Sequence, residues 1–198
     1  EFQKQHPECS IRLMNLSTSS GVKMLSSEST KPMATVCWWH LVNDATLLKP
    51  TDPGWRVCPS LGGRKDRLAL IEGLKNEVIT AVAVHAVPLD EEDIQRPPNQ
   101  REPGLAGHHL VLPSMWKELV VKDAVSIENL WKFLSFGPSE ILGLPEEKLT
   151  IGSNRWLIFD PEKSWTQSRN NKFGPMAANQ PWEGKVIKGK VVACGLKA

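Results

Sequence analysis

The sequence has no tyrosine, only four cysteines, no methionine at its first position and no apolar run long enough to span a bilayer. A membrane-spanning helix needs about 20 consecutive apolar residues, so none is expected. The polar opening Glu1-Phe2-Gln3-Lys4-Gln5 has the character of neither a signal peptide nor a transit peptide. A cytoplasmic chain is the expectation. Cys9, Cys37, Cys58 and Cys194 lie far apart with no CxxC pair, which argues against a disulfide framework or a zinc knuckle. They read as reduced thiols that serve as small apolar core residues. Charge of one sign is also missing: 24 Lys and Arg are interleaved with 22 Asp and Glu for a net charge of +2. That leaves no electrostatic footprint for nucleic acid or an anionic membrane. The chain opens on Glu1 instead of Met, which leaves a natural short protein and a truncated or excised chain both open.

What remains is the composition of an ordinary globular protein, 40% hydrophobic and 23% charged, in which disorder and collagen-like repeats have no place. Ser10 to Met14 is a short apolar run followed by Ser17-Thr18-Ser19-Ser20, so a strand and then a helix to about Leu25 are predicted. Met33 to Trp39 is rich in β-branched and aromatic residues and reads as a second strand, which would put Trp38 and Trp39 on opposite faces. Asp52-Pro53-Gly54 signals a turn before the short run Trp55 to Cys58. Arg64 to Lys75 places Leu68, Ile71 and Leu74 at helical spacing, and Val78 to Val84 is the continuous apolar run of a strand covered on both faces. After a proline-rich acidic loop over 90–103, helices are predicted over 108–120 and 126–135. From Thr150 onward Gly-punctuated strands replace helices, so a boundary falls near residue 150. The order is α/β, and in barrels and parallel sheets ligands bind just past the strand ends.

The residues at those strand ends carry a resemblance. Asn15-Leu16-Ser17-Thr18 follows the first strand, and Thr35-Val36-Cys37-Trp38-Trp39-His40-Leu41 spans the second. Cys58-Pro59-Ser60-Leu61 with Arg64 and Asp66 comes next, and then Ile79 to Leu89 with His85. In this order they resemble the His-x-Ser-Thr, Val-x-Pro-His-His-Leu, Asn-Pro-Pro-Leu-Arg and Thr-Asp-His-Ala-Pro-His elements on strands five to eight of the dihydroorotase and hydantoinase branch of the metal-dependent amidohydrolases. Ser135-Phe136-Gly137-Pro138 to Leu144, Ile151-Gly152-Ser153, Leu157-Ile158-Phe159-Asp160, Asn179 to Gly184 and Gly189-Lys190-Val191 are similar to that family's closing helix and accessory strands.

The resemblance implies a partial (β/α)8 TIM barrel, strands five to eight, over residues 1–149, followed by a small β-rich accessory segment over 150–198. It implies strands one to four, with the family's His-x-His pair and carboxylated Lys, outside this chain. It implies zinc as cofactor, a small cyclic amide as substrate and pyrimidine biosynthesis as setting. It also carries two site residues over, His40 at a metal-ligand position and His85 at the position of the catalytic Asp. The departures are Asn15 where the family has a ligand His, Cys58 where it has a substrate-facing Asn, His85 itself, and Ala86 where the family has a His. An amide oxygen is a poor zinc ligand, and a histidine does not supply the negative charge of an Asp beside a dication. Without the resemblance, His40 reads as a hydrogen-bonded histidine at a strand end, and His85 as a satisfied polar residue. Zinc binding and hydrolysis by this chain are therefore not expected. The alternative is a non-catalytic subunit that holds a protein partner such as aspartate transcarbamoylase, with surplus Trp residues as interface anchors, or that self-associates.

Overall fold

The computed structural model describes residues 2–29, 31–49, 55–97, 99–145, 148–169 and 176–195. After a short helix α1 (Phe2–Gln5), β1 (Arg12–Leu13) leads through α2 (Ser19–Ser27) to β2 (Met33–Cys37), and β3 (Ala81–Ala83) lies on the far side of β2. All three strands are parallel, with Leu13 opposite Ala34 and Val36 opposite Val82. β2 is the centre. Ala34, Val36 and Cys37 have no exposed surface, as expected of an apolar strand covered on both faces.

β2 ends two residues earlier than the sequence pattern predicts. Trp38 already has helical dihedrals and heads the one-turn helix α3 (Trp39–Val42). The ladder ends here because β3 itself stops at Ala83, whose carbonyl takes the Trp38 N–H at 3.1 Å. The two tryptophans therefore do not sit on opposite faces of a strand. The expected turn at 52–54 lies outside the described residues, and the run Trp55 to Cys58 that follows it forms no strand. β3 fills the edge of β2, and the Arg56 carbonyl bonds instead to the Gly104 N–H at 2.7 Å. Among the described residues the sheet thus has three strands, a correction to the four expected.

Helix α4 (Arg64–Lys75) has the predicted bounds, but Leu68 is 49% exposed. The buried stripe is Leu70, Ile71, Gly73 and Leu74, and Leu68 stands off its edge. The acidic loop holds a short helix α5 (Glu91–Gln95), capped by the Asp90 carboxylate on the Asp93 N–H. The two later helical stretches are each broken by a wide π turn. α6 (Val111–Met115) runs into Trp116–Val120, and α7 (Ile127–Trp131) into Lys132–Phe136 and then α8 (Gly137–Leu142). At Gly137 the helix passes so close to the start of β3 that a Cβ would lie 2.2 Å from the Thr80 carbonyl oxygen, so only glycine fits.

The chain closes in an antiparallel ribbon of β4 (Trp156–Thr166) and β5 (Val186–Gly195), with irregular register after Ile158 and Asp160. Phe159 packs on Trp116 with ring centroids 5.2 Å apart. A polar seam joins the ribbon to the helices: the His109 Nε2–H donates to Gln167 Oε1 at 2.8 Å, and Gln167 Nε2 donates to Gln180 Oε1. Asn179 accepts from the Leu89 N–H and donates to the Val87 carbonyl. Each buried amide in the seam is thereby partnered, as burial of polar groups requires.

Candidate functional site

The carboxyl ends of β1, β2 and β3 bring three of the four residues singled out from the sequence into one neighbourhood. Asn15, two residues past β1, has a left-handed conformation, φ 58°, which Asn tolerates better than most residues. The bend is secured from β2: the Asn15 N–H donates to Thr35 Oγ1 at 3.0 Å and the Leu16 N–H to the Thr35 carbonyl at 2.8 Å. The Asn15 amide then faces His85, half-buried past the end of β3, whose Nε2–H donates to Asn15 Oδ1 at 3.2 Å. The His85 carbonyl accepts from the Trp38 indole at 3.0 Å, and its ring lies 6.0 Å from that of Trp39.

His40 follows Trp39 in α3, ring centroids 6.4 Å apart, with 2% of its surface exposed. Its Nε2 lies 3.4 Å from the Ser60 carbonyl, a long hydrogen bond, and its Nδ1 is buried without a partner, as is the Trp39 indole nitrogen. Burial pushes the His40 pKa below its ordinary value, against the smaller opposing effect of nearby carbonyls at Ser60, Pro59 and Cys37, so the ring is held neutral. Cys58 does not join the group. Its thiol is exposed and makes no hydrogen bond to the other three residues.

These side chains do not fit a hydrolytic metal centre. Zinc takes imidazole, thiolate or carboxylate ligands in tetrahedral array. Here one imidazole nitrogen is bonded to an amide, the amide oxygen is a weak donor, and the exposed thiol lies apart. Among the described residues of this site, the orphaned His40 Nδ1 is the feature a metal would satisfy. Among the described residues no group of three or more His, Cys, Asp or Glu could hold a metal ion.

Three neighbours of this site escaped the sequence reading: Thr35, which fixes the Asn15 bend, Trp38, which holds the His85 carbonyl, and Cys37. The Cys37 thiol is pushed up to about 12 by burial, with backbone N–H groups of His85, Trp39 and Trp38 opposing, so it stays protonated. Their only signal was position, within a central strand for Thr35, at its end for Cys37 and one residue past it for Trp38.

Solved structures share this fold. Dihydropyrimidinase from Brevibacillus agri matches with a TM-score of 0.78 and 20% identity over 94% of this chain and 43% of its own. The inactive dihydroorotase-like domain of a Chaetomium thermophilum CAD-like multifunctional protein matches at 0.64 with 18% identity, covering 96% and 50%. Sequence relatives narrow the kinship. A probable dihydroorotase-like protein of Synechocystis is 38% identical over 194 residues, 92% of this chain and 43% of the relative, and the Aquifex aeolicus dihydroorotase is 29% identical over 189. No family model matches the chain. The chain is thus related to the dihydroorotases and the cyclic amidohydrolases around them, and it spans about two fifths of the length of the curated relatives it matches.

Proposed function

We propose that this chain is a dihydroorotase-like segment, cytoplasmic and belonging to the pyrimidine branch, in which cyclic-amide hydrolysis has been lost. The observation that carries the reading is the hydrogen bond between Asn15 and His85 where a metal ligand and a catalytic carboxylate would be needed. Opening a cyclic amide takes an activated hydroxide and a group that moves its proton. His85 has the proton-transfer chemistry, but its Nε2–H is engaged by a neutral amide that does not take the proton and supplies no negative charge beside it. Purified chain incubated with dihydroorotate, with and without added zinc, is expected to show no ring opening above background. Turnover that scales with the amount of chain and disappears in His40→Ala would overturn the reading.

A second reading, a subunit that binds another enzyme of the same branch such as aspartate transcarbamoylase, is favoured by one observation. The end of the ribbon exposes Trp156, Leu157, Ile158, Val191 and Val192, shared between its two faces. The support does not extend to the tryptophans as a class, because Trp38 and Trp39 are core residues and Trp55, Trp116 and Trp182 pack against the core.

A further inference from the structure

We infer that Asn15 and His85 form a metal-independent brace that ties the tip of β1 to the tip of β3 across β2. The inference rests on the non-catalytic reading and starts from the mismatch between the metal implied by the chain's kinship and the side chains present. β1 and β3 are not neighbours; with β2 between them their backbones run about 10 Å apart. One hydrogen bond of 3.2 Å spans that gap, and both of its ends are held by residues of β2 or the residue after it. Thr35 fixes the bend at Asn15 through its hydroxyl and its carbonyl. Trp38 holds the His85 carbonyl. The brace matters most for β1, which pairs with β2 through only Arg12 and Leu13 and has no strand on its outer edge among the described residues.

Proton bookkeeping makes the brace and a metal at this nitrogen mutually exclusive. An amide oxygen only accepts hydrogen bonds, so the Nε2 of His85 carries the proton, and a protonated nitrogen has no lone pair to offer a metal. A cation could take His85 Nε2 only by breaking the bond to Asn15. The place that a metal bridge would hold together is held instead by direct contact.

The test is a double-mutant cycle on the full chain, with Asn15→Gly, His85→Ala and the pair, read by urea unfolding in the presence and absence of EDTA. Glycine accepts the positive φ at position 15, so any backbone gain appears in both arms of the cycle and cancels. The expected coupling is roughly a fivefold change in the folding equilibrium, ~1 kcal/mol, with the wild-type midpoint unchanged by EDTA. Asn15→Asp keeps an acceptor oxygen and a side chain that tolerates the bend, and it is expected to unfold close to wild type. The brace is wrong if the two substitutions are additive, if Asn15→Asp loses as much as Asn15→Gly, or if EDTA lowers the midpoint and zinc restores it. Ring-opening turnover with the coupling intact would sink the proposed function alone, whereas absent coupling in an inactive chain would sink the brace alone.

Discussion

At the scale of single residues, His40 is the histidine most withdrawn from water among the described residues. His40 is buried, neutral and short of hydrogen bonds, and that makes it the residue through which mild acid acts. Its pKa is lowered in the fold from an ordinary 6.5, so below that value the unfolded chain binds the proton more readily and stability falls as pH drops toward the folded pKa. The carboxylates with lowered pKa, Asp66, Glu77 and Glu128, start from 3.8, 4.5 and 4.5, so their losses come at more acidic pH. The urea midpoint of the wild type is therefore expected to decline between about pH 7 and about pH 5, and His40→Gln to flatten that stretch of the profile. An unaltered slope in the variant would assign the decline to another group. His85 was legible in the sequence as a strand-end residue, whereas His40 proves to lie within α3. That Asn15 would accept from His85 was not legible, because 70 residues separate them and only the sheet order brings them together.

At the scale of elements, Asp66 joins two helices. Its Oδ1 accepts from the Ser19 N–H at 2.8 Å in the first turn of α2, and its Oδ2 from the Gly63 N–H at 3.1 Å ahead of α4. These hydrogen bonds, led by the one from Ser19, hold its carboxyl below the usual range. Both helix starts leave amide groups unpaired by the helix itself, and one carboxylate answers both. Asp66→Ala is expected to cost about 1–2 kcal/mol in urea unfolding, at the upper part of the range for a single cap. A loss below ~0.5 kcal/mol would mean that water replaces the carboxylate with little penalty. The bounds of α4 could be read from sequence because amphipathic periodicity and charge placement are local signals. The ends of β2 and the absence of a strand at Trp55 to Cys58 could not, since a strand stops where its neighbour stops.

At the scale of the whole molecule, the sheet and the ribbon both leave edges unpaired among the described residues, and apolar side chains are exposed beside them. Leu13 and Met14 are 37% and 59% exposed beside β1, and Trp156 and Ile158 are 39% and 54% exposed on the ribbon. Unpaired strand edges with exposed apolar neighbours recruit other chains. In sedimentation velocity the isolated chain is expected to self-associate as concentration rises, and to co-sediment with aspartate transcarbamoylase if the second functional reading holds. A concentration-independent monomer that ignores the enzyme would count against both.

The amino-acid sequence alone determined the α/β order, the amphipathic α4, the all-β close of the chain and the kinship to dihydroorotases. These rest on periodicity and on motifs read within a few neighbouring residues. Only the tertiary structure decided that the sheet has three described strands, that Trp38 and Trp39 turn into the core, and that Asn15 and His85 meet over β2. Those outcomes depend on which strands lie side by side, and pairing between distant segments is set by packing of the whole fold, which no local pattern encodes.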